Sequence, residues 1–231
     1  MTRRARIALI IAAVLVMLVV QLPLSVMLPM VLPRESGLSA RTATGTIWSG
    51  VLHDAQLAGL PLGDTRVGLL PLALLTGQAR LQFVGVRLRG TLVATPTGFG
   101  IAHGIGPVDA GIRVKPLPIA QFVLDDATGQ FSGTHCSEAT GNVRAVVGGD
   151  IGGMTLPGGM TGTLRCDGKM LLLALVGQSG MERLDLRIDG AGKWRAEFAV
   201  RAADQATVAK LAAAGFSQGP TGFVIRLTGA L

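Results

Sequence analysis

The stretch "ERLDLRID" alternates without a break. Leu184, Leu186 and Ile188 fall on one side, and Arg183, Asp185, Arg187 and Asp189 on the other. "KWRAEFAVR" repeats the pattern, with Trp194, Ala196, Phe198 and Val200 set against Lys193, Arg195, Glu197 and Arg201. Side chains two residues apart share a face of an extended chain, so each stretch reads as a strand with one apolar and one solvated face. Asp189-Gly190-Ala191-Gly192 would join the two as a hairpin. "GFVIRLTG" aligns Phe223, Ile225 and Leu227 in the same way. "ARLQFVGVRLRGTL" alternates too, but its apolar phase shifts between Phe83 and Val86. One extra residue near Val84-Gly85, a β-bulge, would absorb that shift. "MLLLALV" (170–176) is apolar throughout, as suits a strand covered on both faces. With 33 glycines among 231 residues punctuating such stretches, the chain reads as mostly β and antiparallel, a twisted sheet or a β-groove.

Helix signals are few. "ADQATVAKLAAAGF" offers Asp204 as N-cap and Gly215 as C-cap around helix-favouring residues, which predicts one short C-terminal helix. "PLALLTG" opens on Pro71 and closes on Gly77, the pattern of a single turn. A Gly followed by a short alternating stretch recurs in "TGTIWSG", "ATGQFSG", "MTGTLRC" and "RLRGTL", a hint of internal repetition. The proline-bearing "KPLPIAQFVLDDATG" suggests a seam between two halves near 115–128.

The N-terminus carries a different signal. No charged side chain occurs from Ile7 to Leu32, whereas Arg3, Arg4 and Arg6 precede that run. Crossing a bilayer core takes about 20 apolar residues, and the basic flank places residues 1–6 in the cytoplasm. A cleaved signal peptide shares the basic start, but its apolar core is usually about 7–15 residues and ends at a small-x-small site. "QLPLSVMLPMVLP" has no such exit, so 7–27 reads as an uncleaved single-pass signal anchor. Residues 28–41 then form a linker, and 42–231 an exported β-rich domain.

Net charge is +7, but the arginines are scattered singly, aromatics are 4% and tyrosine is absent. Nucleic-acid surfaces cluster their basic groups, usually beside aromatic platforms, so no nucleic-acid partner is expected. A basic excess of this kind suits a domain close to anionic membrane lipid. Cys136 and Cys166 are not in a C-x-x-C motif. On the exported side they most simply form one disulfide, the other reading being two buried thiols.

The residues that could carry chemistry are dispersed. His53-Asp54 and His135-Cys136 are sequence neighbours, which in strands point to opposite faces. Neither pair makes a metal site or a nucleophile–base couple. "GFGIAHGIG" has its third glycine one residue late for a dinucleotide loop, and no helix signal follows it. No catalytic residue, metal site, cofactor or small-molecule substrate is expected. Trp48, in "GTIWSG", stands out among small residues. It would either pack in a β core beneath the Pro71–Gly77 turn, with Leu72, Leu74 and Leu75 as an apolar cap, or line a groove for a lipid chain or a partner strand. Trp48, Pro71, Leu74 and Leu75 are therefore the candidate packing or docking residues.

"SARTATGTIWSG" followed by "LPLGDTRVGLLPLALLTGQARLQF" resembles the type II secretion system protein N (general secretion pathway protein N) family. "GTHCSEATGNVRAVV", "GTLRCDGKMLLLAL" and the helix ending "AAAGF" fit the same pattern, the two cysteines included, over about residues 38–231. One departure is Leu69-Leu70, where the family often has a tryptophan before the proline stretch. The resemblance implies a bacterial inner-membrane protein with a periplasmic domain. It would act without enzymatic activity in export of folded proteins across the outer membrane, docking on other inner- or outer-membrane subunits of that system. The alternative is a membrane-anchored β-groove of the AsmA-like kind that binds or conducts lipid.

Overall fold

The computed structural model describes residues 7, 10, 14, 17, 20–26, 38–57, 60–109, 119–148, 150–151, 154–155, 159–201, 205–220 and 222–230. The chain divides into two compact units, Met1–Val86 and Arg87–Leu231. Both are mostly antiparallel β-sheet, as the alternation predicts.

Unit 1 contains β1 (Leu38–Ser39), β2 (Thr42–Thr46), β3 (Ser49–Leu57), β4 (Leu60–Leu69), the single turn α1 (Pro71–Leu74) and β5 (Ala79–Val84). Its sheet runs β1-β3-β4-β5, with β2 on the same edge of β3 as β1. Leu52, Thr65, Val67, Leu69, Leu81 and Phe83 line its buried face. Leu24 is fully buried there; a side chain on Gly50 would collide with its Cδ2, so the glycine makes room for it. α1 ends in a Schellman motif. Gly77, at φ 74°, donates to Leu74 O at 3.0 Å, and Gln78 donates to Ala73 O at 3.1 Å.

Unit 2 is a meander. It comprises β6 (Arg89–Thr95), β7 (Gly98–Asp109), β8 (Ile119–Ser132), β9 (His135–Val147), β12 (Met160–Asp167), β13 (Met170–Gly177), β14 (Glu182–Ile188), β15 (Lys193–Val200), β17 (Gly222–Ala230) and β16 (Ser217–Gly219), paired in that order. A small hairpin, β10 (Asp150–Ile151) with β11 (Met154–Thr155), interrupts the sequence between β9 and β12. Residues 119–128, within the stretch expected as a seam, belong to the single strand β8.

The predicted hairpin is present, with Leu184 opposite Phe198 and Leu186 opposite Ala196. Its turn is held by Asp189 Oδ1, which accepts from Ala191 N and Lys193 N at 2.9 Å each. Register aligns Leu175, Leu184, Phe198 and Ile225 in one row across four strands. α2 (Gln205–Ala213) closes on this face through Leu211 and Phe216. Its C-terminus is a second Schellman motif, with Gly215 at φ 88°, Gly215 N to Ala212 O at 3.1 Å and Phe216 N to Leu211 O at 3.0 Å. The expected N-cap, Asp204, lies outside the described residues. On β13, Leu171, Leu173 and Leu175 are buried inward, and Leu172 is buried on the other face. Arg165 and Arg187 flank Leu172 in register, and their aliphatic stems can cover it.

At one end of unit 2 the sheet curls until hairpin tips meet. A Cβ on Gly190, in the β14–β15 turn, would lie 2.7 Å from Gly133 O in the β8–β9 turn. The Cys136–Cys166 disulfide joins β9 to β12 toward the same end. It lies past Thr163↔Asn142, the last pair of the β9–β12 ladder.

Two sequence expectations are corrected. "GTIWSG" is not one strand. Thr46 pairs with Ser49, so Ile47-Trp48 is the two-residue turn of the β2–β3 hairpin. Such turns usually carry Asn-Gly, and here tertiary contacts replace that preference. Ile47 N–H donates to Leu22 O, and Ile47 O accepts from Leu69 N–H. The phase shift after Phe83 is likewise not a bulge within one strand. β5 ends at Val84, β6 begins at Arg89, and Val86 is exposed between them.

Bulges do occur elsewhere, and two share one design. In β3–β4 the pairs step from Leu52↔Thr65 to Ala55↔Gly63, and in β7–β8 from Ile101↔Gly129 to Gly104↔Ala127. Each inserts one extra residue and puts a non-glycine at positive φ, Asp54 at 51° and His103 at 53°. Asp and His tolerate that region better than most residues. In both cases the freed N–H goes to a side chain on the opposite strand. Asp54 N donates to Asp64 Oδ1 at 3.3 Å, and His103 N to Thr128 Oγ1 at 3.1 Å.

If the row through Phe198 holds unit 2 together, Phe198→Ala should cost about 3–5 kcal/mol. Arg226→Ala, which removes an exposed ion pair with Glu197, should cost no more than about 1 kcal/mol. Urea unfolding of the full chain in detergent compares the two; equal losses would contradict this core.

Candidate functional site

The histidines sit in surface pairs, not in a reactive cluster. His103 Nδ1 lies 2.7 Å from Asp126 Oδ1 and His53 Nδ1 lies 3.4 Å from Asp64 Oδ1, with His53 half-buried and the other three side chains largely exposed. Among the described residues, no three His, Cys, Asp or Glu side chains come together to hold a metal. Cys136 and Cys166 are joined, so neither is a free nucleophile. A recess of about 560 Å³ over β8, β9 and β12 has Asp125 and Arg144 as its only charged lining residues.

The outer face of unit 2 is basic. Arg187 pairs with Asp167, Arg183 with Asp185 and Arg226 with Glu197. Arg187 and Arg195 are directly opposite across β14–β15. That arrangement is unfavourable, and the nearby carboxylate of Asp167 relieves it.

Among the described residues, two regions lack the cover a folded protein usually supplies. The first is a sheet edge. β16 pairs only with Gly222–Val224 of β17. Among the described residues, the outer edge of β17 from Ile225 to Ala230 therefore has no sheet partner. It keeps alternation, with Ile225 and Leu227 turned toward the core and Arg226 and Thr228 toward solvent. Trp194 lies across Gly229 on the neighbouring strand, where a Cβ would collide with its ring.

The second is the end of unit 1 that carries the predicted docking residues. Pro71 starts α1, Trp48 is half-buried in the β2–β3 turn, and no residue of α1 is buried. Leu72 is 78% exposed, Leu75 83% and Leu74 43%, while Ile47 is 3% exposed. The leucines therefore do not form the expected cap; the buried residue of the turn is Ile47, whose backbone bonds to Leu22 and Leu69. Sequence reasoning favoured Trp48 for its size and missed Ile47. Only its hydrogen bonds to Leu22 and Leu69 reveal its role.

A long antiparallel meander with an incompletely paired last strand places the chain among mostly-β proteins that offer strand edges and apolar ends. The family model for type II secretion system protein N matches residues 36–226. The chain belongs to that family and is a component of the type II secretion system, associated with the cell envelope. No curated protein and no solved structure matches the chain.

Two stability measurements follow. Replacing both cysteines by serine opens a link spanning 30 residues and should cost about 3 kcal/mol; an unchanged urea midpoint would count against it. Ile47→Ala should cost about 2–5 kcal/mol, whereas Leu72→Ser and Leu75→Ser should each stay within about 0.5 kcal/mol. Melting of the three variants side by side checks that order.

Proposed function

We propose that this chain is a non-enzymatic inner-membrane subunit of the type II secretion system, which docks on other subunits in the periplasm through its open strand edge. In this reading residues 7–27 hold a single-pass anchor with residues 1–6 in the cytoplasm, and Leu22–Leu24 near its end emerge from the bilayer to pack on unit 1. Residues 28–41 are a linker that ends in β1, Leu38–Ser39, paired with β3, and 42–231 are periplasmic. The span lies mostly outside the described residues. Ile7, Ile10, Val14, Met17 and Val20 are helical and exposed, and no helix among the described residues is long and apolar enough to cross a membrane. The charge-free run and its basic flank support the anchor.

The observation that carries the docking role is the outer edge of β17 from Ile225 to Ala230. Exposed edges offer backbone donors and acceptors to an added strand, and alternate side chains set its specificity. A lipid-binding groove is the second reading, favoured by the partly exposed inner-face residues Leu124, Leu164 and Phe223.

A photoreactive amino acid at Thr228 in living cells distinguishes the two. Crosslinks to another identified secretion subunit, absent when the label is at Ser179, are expected. A Thr228 label that captures no secretion subunit, together with phospholipid co-purifying in fixed ratio to the protein, would replace docking with the groove.

A further inference from the structure

Antiparallel topology fixes which loops of unit 1 share an end. The β2–β3 turn (Ile47-Trp48) and the β4–β5 connection (Leu70 to Gln78) lie at one end, and the β3–β4 turn lies at the other with β1. The apolar N-terminal run is fastened to the first of these ends. Pro23 bridges to Thr46, Leu22 O accepts from Ile47 N–H at 3.0 Å, and Leu24 is buried over Gly50. Leu69 N–H donates to Ile47 O at 2.9 Å, and α1 begins two residues later.

Among the described residues of unit 1, the carboxylates, Asp54 and Asp64, fall at the second of these ends. No charged residue occurs in 20–26, 42–52 or 67–79. The other half of the sheet carries Arg41 with Asp54 and His53 with Asp64. The first end thus presents half-buried Trp48 and the exposed Leu72, Leu74 and Leu75 beside the point where the N-terminal run leaves the sheet. The charge nearest to α1 is the exposed Arg80, a cation that suits anionic headgroups. An aqueous surface gains nothing from such leucines, whereas a bilayer interface does: apolar side chains enter it to about 5–10 Å, and tryptophan concentrates at headgroup level.

We infer that this end of unit 1 sits in the interfacial layer of the lipid bilayer, with α1 inserted through Leu72 and Leu75 and Trp48 at the headgroups. The inference rests on the anchor reading of residues 7–27. It gives the exposed turn a lipid surface as its occupant and holds the sheet upright on the membrane, with the Asp54 and Asp64 end away from it.

The native cysteines are joined to each other, so a cysteine introduced into the full chain is the one free thiol. Leu72→Cys, Leu75→Cys and, at the opposite end, Gln56→Cys are labelled with an environment-sensitive fluorophore. The labelled chains are reconstituted into phosphatidylethanolamine–phosphatidylglycerol vesicles, with or without a lipid bearing a spin-label quencher. Labels at 72 and 75 should be blue-shifted and quenched several-fold more than the label at 56. Vesicle flotation is read on the same samples. A chain that fails to float removes the anchor, and this inference with it. A chain that floats while all three labels are quenched equally leaves the anchor standing and overturns the interfacial placement.

Discussion

Unit 2 closes where Phe216 meets Phe198. The two rings stand edge to face with centroids 5.9 Å apart, and Leu211 is fully buried beside them. The row Leu175, Leu184, Phe198 and Ile225 gives four strands a common apolar face, but a single sheet cannot bury that face by itself. α2 supplies the missing layer, and its Schellman turn at Gly215 aims Phe216 back at the sheet. At the far end the same problem has a different answer, because there the sheet curls until its turns touch. The touching turns are glycine-built, Gly133 against Gly190, since side chains would hold them apart.

Much of this was legible from the residues. Strict alternation over Glu182–Ile188 and Lys193–Val200 specified both strands, the turn between them and the buried set. Those strands have one wet face, so their period is not blurred. The helix ending at Gly215, the turn from Pro71 to Gly77 and the cysteine pairing were legible for equally local reasons. Long-range pairing was not. "GTIWSG" has strand-like composition, and nothing in it signals a reversal between Ile47 and Trp48. That reversal is fixed by Leu22 and Leu69, distant in sequence. The bulges at Asp54 and His103 were hidden too, because their capping partners, Asp64 and Thr128, come from the next strand. Exposure of Leu72 and Leu75 was misread for a related reason. A leucine-rich turn is read as core until the fold shows that none of the described residues covers it.

The candidate surfaces differ in what they require of a partner. The edge of β17 needs an extended backbone, since its unused groups are N–H and C=O and its side chains only select. The leucine-bearing end of unit 1, as proposed, asks for an apolar medium and no particular shape. Membership of the type II secretion system protein N family is compatible with both demands, because an envelope machine must hold its parts to the membrane and to one another.

The meander has a consequence for how the chain acquires its structure. Nearly every strand of unit 2 pairs with the one before it in sequence. The steps from β9 to β12 and from β15 to β17 pass over only a small hairpin and over α2 with β16. Contacts this local demand little loop closure, so ordering can advance strand by strand with a modest barrier at each addition. A polypeptide threaded through a membrane pore emerges in that same direction. Each new strand then finds its template already formed, and the growing sheet exposes one fresh edge at a time until β17 is laid down last.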